Sequence, residues 1–397
     1  MCGRRTHADR RKEGAAEGRA RADNGMEIDQ GNHGPGAHPQ AGLAPAEAWM
    51  GGVEMCPGRI EMAAVAGQPA ERKVLVTAQG PAYEFIRTLK DCIYGKVKHV
   101  VAVDEAPGGG WVRREPLGQQ QYALKIIRRD MLPGGAMHRR LAENPIQELR
   151  VQQRLSDPGH DNVVSVAQVA FDDRYIFAVL PFANGGELFG VVERHGAFPQ
   201  PTCRHFFRQV VRGLQYLGQK NVCHRDMSLE NVMLHDEAAA AAADGGGGGG
   251  ELNLAATKAL IIDFGLCIAP VQLLDDGSVA LHGPLPPCGK PNYISPEIYS
   301  RQQFHPFKID VWALGVMLFI MSTGAPPFET PTLVDPRFKI IAEGRLHYLL
   351  QQWGFHGTGR DTDLPDEAVQ LMQLCLQVRP EHRPTCEQIL AHPYLAQ

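Results

Sequence analysis

The chain has 397 residues, of which 44% are hydrophobic and 21% are charged. This composition is close to the globular average, so the chain can form two medium domains or one large bilobal domain with a tail. Its formal net charge of −4 gives no reason to expect binding to nucleic acid or to a membrane surface. The nine cysteines are scattered and form no CxxC pair, which predicts reduced thiols in a cytoplasmic or nuclear protein.

Two segments have compositions that do not specify a core. Residues 1–78 are rich in Gly, Ala and Pro without periodicity, which predicts a disordered N-terminal extension. Residues 236–251 contain an Ala run followed by a Gly run, which predicts a flexible low-complexity insertion in a loop. The longest apolar stretch, Val311 to Met321, is too short to span a bilayer and indicates a buried helix.

The remaining elements are of two kinds along the chain. Alternating apolar residues predict strands in the part 79–183, and 3.6-residue periodicity predicts helices from Pro201 onward. Strands followed by helices indicate an α+β fold with a small β-rich lobe (79–183) and a larger helical lobe (184–397). A helix is also predicted after Asn144, which can cap it and form a capping box with Gln147.

The strongest chemical signal is HRDMSLENVML, which begins at His224. Its spacing places Asp226 and Asn231 at opposite ends of a short loop. Phosphoryl transfer requires a carboxylate near the acceptor hydroxyl and a separate oxygen ligand for a metal ion. Asp226 suits the first role and Asn231 the second, whereas the alternative is a solvated loop with accidental charges.

Three more residues fit the same chemistry. Asp263 follows an apolar strand in ALIIDFG, where its carboxylate can reach a phosphate-bound Mg²⁺. Lys125 lies in the middle of the alternating segment YALKII and needs an anionic partner, which nucleotide phosphates can supply. Helical spacing places Glu148 on the helix face that would point toward Lys125. For either residue alone an ordinary surface salt bridge would be the simpler interpretation, but their order relative to the two Asp motifs favours a nucleotide site.

Taken together, these motifs make residues 82–397 resemble the protein kinase superfamily. Further segments fit, among them SPE at Ser295–Glu297, DVWALG from Asp310 and EHRPT with Arg383. The resemblance is greatest to serine/threonine kinases of the calmodulin-dependent and cyclic-nucleotide-dependent groups. It implies pairing of Glu297 with Arg383, and hydrogen bonds from the catalytic-loop backbone to Asp310.

The resemblance also implies how ATP and Mg²⁺ would be bound. Asn231 and Asp263 would hold the metal, and Leu180 would take the gatekeeper position. Glu187 matches a position that binds ribose or a substrate arginine in similar kinases. The remaining residues implied to contact the nucleotide are Gly95, Val97, Ala123, Phe182, Ala183 and Met233.

The sequence departs from the family pattern at several positions. Lys90 and Cys92 stand where the first two glycines of the phosphate-binding loop belong, and Gln152 replaces an apolar residue expected near Phe264. Ser228 stands where a catalytic-loop lysine is usual, and Lys290 where a threonine is usual. We therefore expect that Lys290 supplies the missing cation from the opposite loop while Ser228 supplies the hydrogen-bonding hydroxyl.

The predicted function is ATP-dependent phosphorylation of serine or threonine in protein substrates. Glu187 and Glu230 predict a preference for basic residues N-terminal to the phosphoacceptor, since a carboxylate gains from charge-assisted pairing with arginine. Because Pro286 occupies the usual phosphorylation position, activity is expected without phosphorylation of the activation segment. Two alternatives remain open at this level: a pseudokinase scaffold with weak or no catalysis, and a small-molecule kinase of related fold.

Overall fold

The computed structural model describes residues 52–116, 120–132, 143–237, 253, 256–359 and 363–396. The predicted disorder of residues 1–51 and the low-complexity tract at 238–252 lie outside these ranges. In the described part, strands come first and helices follow, so the predicted α+β architecture is confirmed. The strands are β1 Cys56–Ala63, β2 Arg72–Thr77, β3 Ala82–Cys92, β4 Gly95–Glu105, β5 Trp111–Arg113, β6 Gln121–Arg128, β7 Gln168–Phe171, β8 Tyr175–Pro181, β9 Gly186–Glu187, β10 Val232–His235 and β11 Lys258–Ile261.

The helices form two groups along the chain. The first, α1, lies between the strands of the N-terminal lobe, and the others follow β9. The α-helices are α1 Pro145–Leu155, α2 Leu188–His195, α3 Gln200–Gln219, α4 Pro296–Tyr299, α5 Pro306–Thr323, α6 Pro336–Ala342, α7 Leu346–Gln352, α8 Asp366–Cys375, α9 Cys386–Leu390 and α10 Pro393–Ala396. Short 3₁₀ turns occur at Arg129–Met131, Leu229–Asn231 and Pro380–His382.

The prediction of disorder up to residue 78 is wrong for the segment 56–77. This segment forms β1 and β2, which pair with each other antiparallel over Gly58–Ala63 and Arg72–Thr77. The segment orders because its partners are distant in sequence: β1 also pairs parallel with β7, and β2 pairs antiparallel with β3. The local signal was the β-rich run KVLV at 73–76. The Gly- and Ala-rich surroundings obscured this signal.

These two strands close the N-terminal sheet on itself. The strand order β3-β2-β1-β7-β8-β6-β4-β5, with the further pairing of β3 with β4, makes a ring of seven strands with β5 outside it. All seven ring strands contribute to one buried interior cluster: Cys56, Leu75, Tyr83, Val100, Ala102, Leu124, Ala170, Phe177 and Val179. The lobe is therefore a small barrel filled by side chains, without the two open edges of a simple curved sheet.

The outer face of the barrel packs on α1. Helix residues Ile146 and Leu149 form one buried cluster with Ile127, Ile176 and neighbouring strand residues. Asn144 caps α1 as predicted, since its Oδ1 accepts from the backbone N–H groups of Ile146 and Gln147. The predicted capping box does not form, because the backbone N–H of Asn144 donates to the Gly265 carbonyl at 3.1 Å. The Gln147 side chain donates to the carbonyl of Cys267 at 3.3 Å.

The helical lobe is organised around α5. Its residues Val311 to Met321 are buried, as the sequence predicts, and the helix ends at Gly324 with a left-handed φ of 76°. By length and hydropathy alone α5 could cross a membrane, but 89% of it is buried inside the protein, where it forms the core of this lobe. The predicted pairing of Glu297 with Arg383 is confirmed by two buried hydrogen bonds of 2.6 and 2.8 Å.

Candidate active site

One face of the barrel lines a cleft. In an antiparallel pair, directly opposed side chains share a face, and residues two apart along a strand share it too. Val97 is opposite Lys125, and Ala123 is opposite Leu180, so these four predicted nucleotide contacts lie on one face. All four are half-buried, whereas Leu124 between them points into the barrel and is fully buried.

Lys125 is held by Glu148 of α1. Its Nζ lies 2.6 Å from both carboxylate oxygens, and the two side chains are 18% and 5% exposed. Burial alone would lower the pKa of Lys125, but the carboxylates of Glu148 and Asp263 outweigh it and raise the pKa. Lys125 is thus a fixed cation in the cleft.

The predicted catalytic loop is held by hydrogen bonds to Asp310 of α5. The Asp310 carboxylate accepts hydrogen bonds from the backbone N–H groups of His224 and Arg225 at 2.8 and 2.9 Å, as predicted. His224 also contacts the Ile262 carbonyl at 3.0 Å, next to Asp263. Arg225 has a positive φ of 67°, so these two hydrogen bonds hold a backbone conformation that costs energy in isolation.

Asp226 and Asn231, which the loop spacing places at opposite ends of a short loop, contact each other directly. Asn231 Nδ2 donates to the Asp226 backbone oxygen at 2.7 Å and to its Oδ2 at 2.8 Å. The amide oxygen of Asn231 is thereby oriented away from Asp226. Burial raises the pKa of the Asp226 carboxyl, against lowering contributions from His224 and Lys290. A carboxylate that is partly desolvated in this way is a better proton acceptor than a solvated one.

Asp263 lies among other carboxylates. It acts electrostatically on Asp226, Glu148 and also Glu143, a residue that the sequence analysis did not single out. Burial, and then the charge of Asp263, raise the pKa of Glu143. Glu143 precedes α1 in the chain and belongs to no sequence motif. Only its position near Gly265 in the structure shows that it lies at the candidate site.

The carboxylates fit Mg²⁺ bound together with nucleotide phosphates. Within the described residues no three side chains converge closely enough to hold a metal by themselves. Mg²⁺ usually takes one or two protein oxygens and completes its shell with phosphate and water. Asp263 and the amide oxygen of Asn231 can supply those two protein ligands.

Lys290 and Ser228, the two exchanged residue types, lie together. Lys290 Nζ donates to Ser228 Oγ at 3.1 Å and lies 3.7 Å from Glu230 Oε1. The neighbouring Gly289 has a φ of 84°, and a Cβ there would come within 2.5 Å of Asp226 Oδ1. Gly289 therefore allows this loop to approach the Asp226 carboxylate closely, and the ammonium of Lys290 lies near enough to act on that carboxylate.

The predicted phosphate loop is a tight hairpin. Strands β3 and β4 pair up to Cys92 and Gly95, which leaves only Ile93 and Tyr94 between them. Tyr94 is buried, and its OH donates to the Glu143 carbonyl at 2.7 Å. A Cβ at Gly95 would overlap the carbonyl oxygen of Ile126, so this glycine is required for the close approach of β6. Its predicted contact with phosphate stays a prediction.

The two carboxylates expected to bind basic substrates each face a lysine. Glu187 Oε1 lies 3.5 Å from Lys90 Nζ across the mouth of the cleft, and both side chains are exposed to solvent. Glu230 is more enclosed and contacts Lys290. Glu187 pairs with Met233 in the sheet of β9 and β10, which places the predicted ribose contact beside the predicted adenine contact.

The hinge between the lobes follows β8. Phe182 and Ala183 are half-buried there, and Phe182 stacks on His99 with ring centroids 4.2 Å apart. His99 is opposite Ala123 on the cleft face of the barrel. The hinge is therefore fixed against β4 by this stacking contact.

Comparison with known proteins agrees with this geometry. The family model described as protein kinase domain matches residues 113–395. The chain is 29% identical over 329 residues to sucrose non-fermenting protein kinase 1 of Fusarium virguliforme, covering 83% of this chain and 38% of that protein. It is 31% identical over 277 residues to serine/threonine-protein kinase PLK4 of Drosophila ananassae, covering 70% of this chain and 30% of that protein. It is 29% identical over 282 residues to serine/threonine-protein kinase DCLK3 of Mus musculus, covering 70% of this chain and 30% of that protein.

This chain belongs to the protein kinase family. It spans between 30% and 38% of the length of the three relatives named above. The family model begins at residue 113, so strands β1 to β4, including the hairpin at the phosphate position, lie before the matched region.

Proposed function

We propose that this chain is an ATP-dependent protein kinase that phosphorylates serine or threonine. The observation that carries the proposal is the convergence in one cleft of the Lys125–Glu148 ion pair, the Asp226–Asn231 pair and Asp263. Bound ATP would supply the phosphoryl group, and Mg²⁺ would neutralise charge on its phosphates.

Each side chain has a specific role in this proposal. Lys125, held by Glu148, would position the α- and β-phosphates, and Asn231 and Asp263 would hold the metal. Asp226 would accept the proton of the acceptor hydroxyl. Little covalent work is required of the protein, because positioning and electrostatic stabilisation supply most of the rate enhancement in phosphoryl transfer.

The test is incorporation of phosphate from Mg-ATP into a serine/threonine peptide library by the full chain. Asp226→Asn and Lys125→Met should each lower transfer at least about a hundredfold. Asp173→Asn, on the exposed turn between β7 and β8, is the matched control and should be unchanged. Binding of Mg-ATP without any transfer by the wild-type chain would instead indicate the pseudokinase scaffold. Transfer to small metabolites but not to peptides would indicate the small-molecule kinase.

We also propose a substrate preference for basic residues N-terminal to the phosphoacceptor. Glu187 is the better supported contact, because its partner Lys90 is 70% exposed and such surface ion pairs contribute only about 0–1 kcal/mol. A substrate arginine can therefore displace Lys90, whereas Glu230 is partly enclosed with Lys290. In a peptide array, Glu187→Gln should weaken the basic preference more than Glu230→Gln does. An acidic or proline-directed preference of the wild type would exclude the proposal.

We further propose that the protein resides in the cytoplasm or the nucleus. The eight cysteines in the described residues are all free, and Cys203, Cys223 and Cys375 are fully buried as thiols. Reduced thiols of this kind are typical of these compartments. Fractionation of cells that express the full chain tests the placement.

A further inference from the structure

The N-terminal arm, defined as residues 52–63, contacts the helix that carries Glu148. Its strand β1 closes the barrel between β2 and β7. Residues 53–55, which precede β1, lie beside the last turn of α1. The arm lies before the part of the chain that matches the family model, which begins at residue 113.

Glu54 and Gln153 form a reciprocal pair. The Glu54 backbone N–H donates to Gln153 Oε1 at 2.9 Å, and Gln153 Nε2 donates to the Glu54 carbonyl at 2.7 Å. The side-chain amide therefore satisfies both polar groups of one backbone residue, as a neighbouring strand would. This pair attaches the arm to the last turn of α1.

Apolar contacts reinforce this attachment. Val53 and Met55 pack against the buried cluster that contains Ile146 and Leu149 of α1 together with Ile176 of β8. The arm thus touches the helix and the barrel wall at the same place. Burial of apolar side chains on both sides of Glu54 makes the contact more than an isolated surface hydrogen bond.

The other end of α1 is held by different elements. Tyr94 donates to the carbonyl of Glu143, and the N–H of Asn144 donates to the carbonyl of Gly265 at 3.1 Å. Glu148 lies between these contacts and Gln153 on a helix of 11 residues. Fixing the helix at both ends restricts the rotation or outward shift that would withdraw Glu148 from Lys125.

We propose that the N-terminal arm is a built-in positioning element that keeps α1 docked and Glu148 paired with Lys125. Gln153 is the positioning residue, because it acts through Glu148 and does not touch the cleft. The expected loss of kcat on removing this contact rests on the proposed kinase function. The expected loosening of α1 does not depend on that function.

The first test measures the helix directly in the full chain. Gln153→Ala should speed hydrogen–deuterium exchange of the amides in 145–155 at least about fivefold, since local opening sets that rate. The exposed neighbour Arg154→Ala is the matched control, because it makes a similar change in the same turn without touching the arm. Equal exchange rates in these two variants would overturn the inference.

The second test asks whether Gln153 acts through Glu148. Gln153→Ala should lower kcat about 3- to 30-fold, the range in which positions remote from a ligand modulate a site. In a Glu148→Gln background the same substitution should change kcat less than about twofold, because the contact it supports is already lost. The same loss in both backgrounds would show a purely structural role and overturn the inference. If the wild type transfers no phosphate, the proposed function fails, and the exchange experiment still decides the inference.

Discussion

Ser228 and Lys290 show how two departures from the family pattern combine at the scale of single residues. They belong to different loops, yet the ammonium of Lys290 donates to the hydroxyl of Ser228 beside Asp226. A positive charge therefore lies near the Asp226 carboxylate, and it comes from the opposite loop. Its role in the reaction is a prediction that mutagenesis can decide.

We expect Lys290→Thr to lower kcat by about 10²–10³ with a modest change in KM, because a preorganised charge acts mainly on the transition state. Adding Ser228→Lys should recover much of the loss, which makes the double-mutant cycle strongly non-additive. Steady-state kinetics on a serine peptide measure both effects. Lys339→Thr, an exposed lysine of α6, serves as the control. A near-normal kcat in Lys290→Thr alone would disprove the hypothesis that Lys290 replaces the usual catalytic-loop lysine.

Gln152 is a second departure at this scale. It is 1% exposed, and its Oε1 has no hydrogen-bond partner among the described residues. An unsatisfied buried acceptor costs about 1–3 kcal/mol. We expect Gln152→Leu to raise the thermal midpoint by about 2 °C or more, as measured by calorimetry. Gln370→Leu, on the exposed face of α8, should leave the midpoint unchanged. A lower midpoint in Gln152→Leu would contradict this expectation.

At the scale of elements, Arg225 joins the predicted catalytic loop to the segment between Asp263 and Glu297. Arg225, which in similar kinases pairs with a phosphorylated residue, donates to the Leu266 carbonyl at 3.1 Å and to Cys288 Sγ at 3.0 Å. Its guanidinium therefore has partners within the segment. Pro286, which the resemblance places at the usual phosphorylation position, has no hydroxyl.

We expect bacterially expressed protein to keep its activity after phosphatase treatment. Peptide phosphorylation before and after treatment measures this, and Ser278→Ala should behave like the wild type. Ser278 lies on an exposed turn, where it contacts Asp276. Loss of activity that is restored by phosphorylation of Ser278 would contradict the expectation.

At the scale of the whole molecule, the catalytic unit extends beyond its apparent boundary. The sequence suggested that the fold begins near residue 79, but β1 and β2 supply Cys56 and Leu75 to the barrel interior. Without them, β3 and β7 would become open edges and Tyr83 and Ala170 would lose core neighbours.

Truncation tests this boundary. A chain that begins at residue 79 should lose at least about 3 kcal/mol of unfolding free energy, since removal of one buried leucine side chain alone typically costs 2–5 kcal/mol. A chain that begins at residue 52 should unfold like the full chain and is the matched control. Chemical denaturation measures both. Equal unfolding free energies of the two truncated chains would show that closure of the barrel by β1 and β2 contributes little to stability.

The sequence singled out side chains that lie together in the structure, but it misplaced the start of the fold. Asp226, Asn231, Asp263 and Lys125 belong to motifs whose residue types and spacing are dictated by the chemistry of phosphates and metal ions. Glu143 and Cys288 belong to no such pattern. Glu143 reaches the site, and Cys288 reaches Arg225, only because distant elements fold together there.

The sequence alone determined the family and the order of strands and helices, and it predicted the residues proposed to carry phosphoryl transfer. Local periodicity and motif spacing depend on neighbours within a few residues, and these are visible in one dimension. Only the tertiary structure decided that residues 56–77 are ordered, that the strands form a closed barrel, and that Gln153 anchors α1 to the N-terminal arm. Those features depend on pairing between segments about 100 residues apart, whose contacts stabilise each other only after the chain has brought them together.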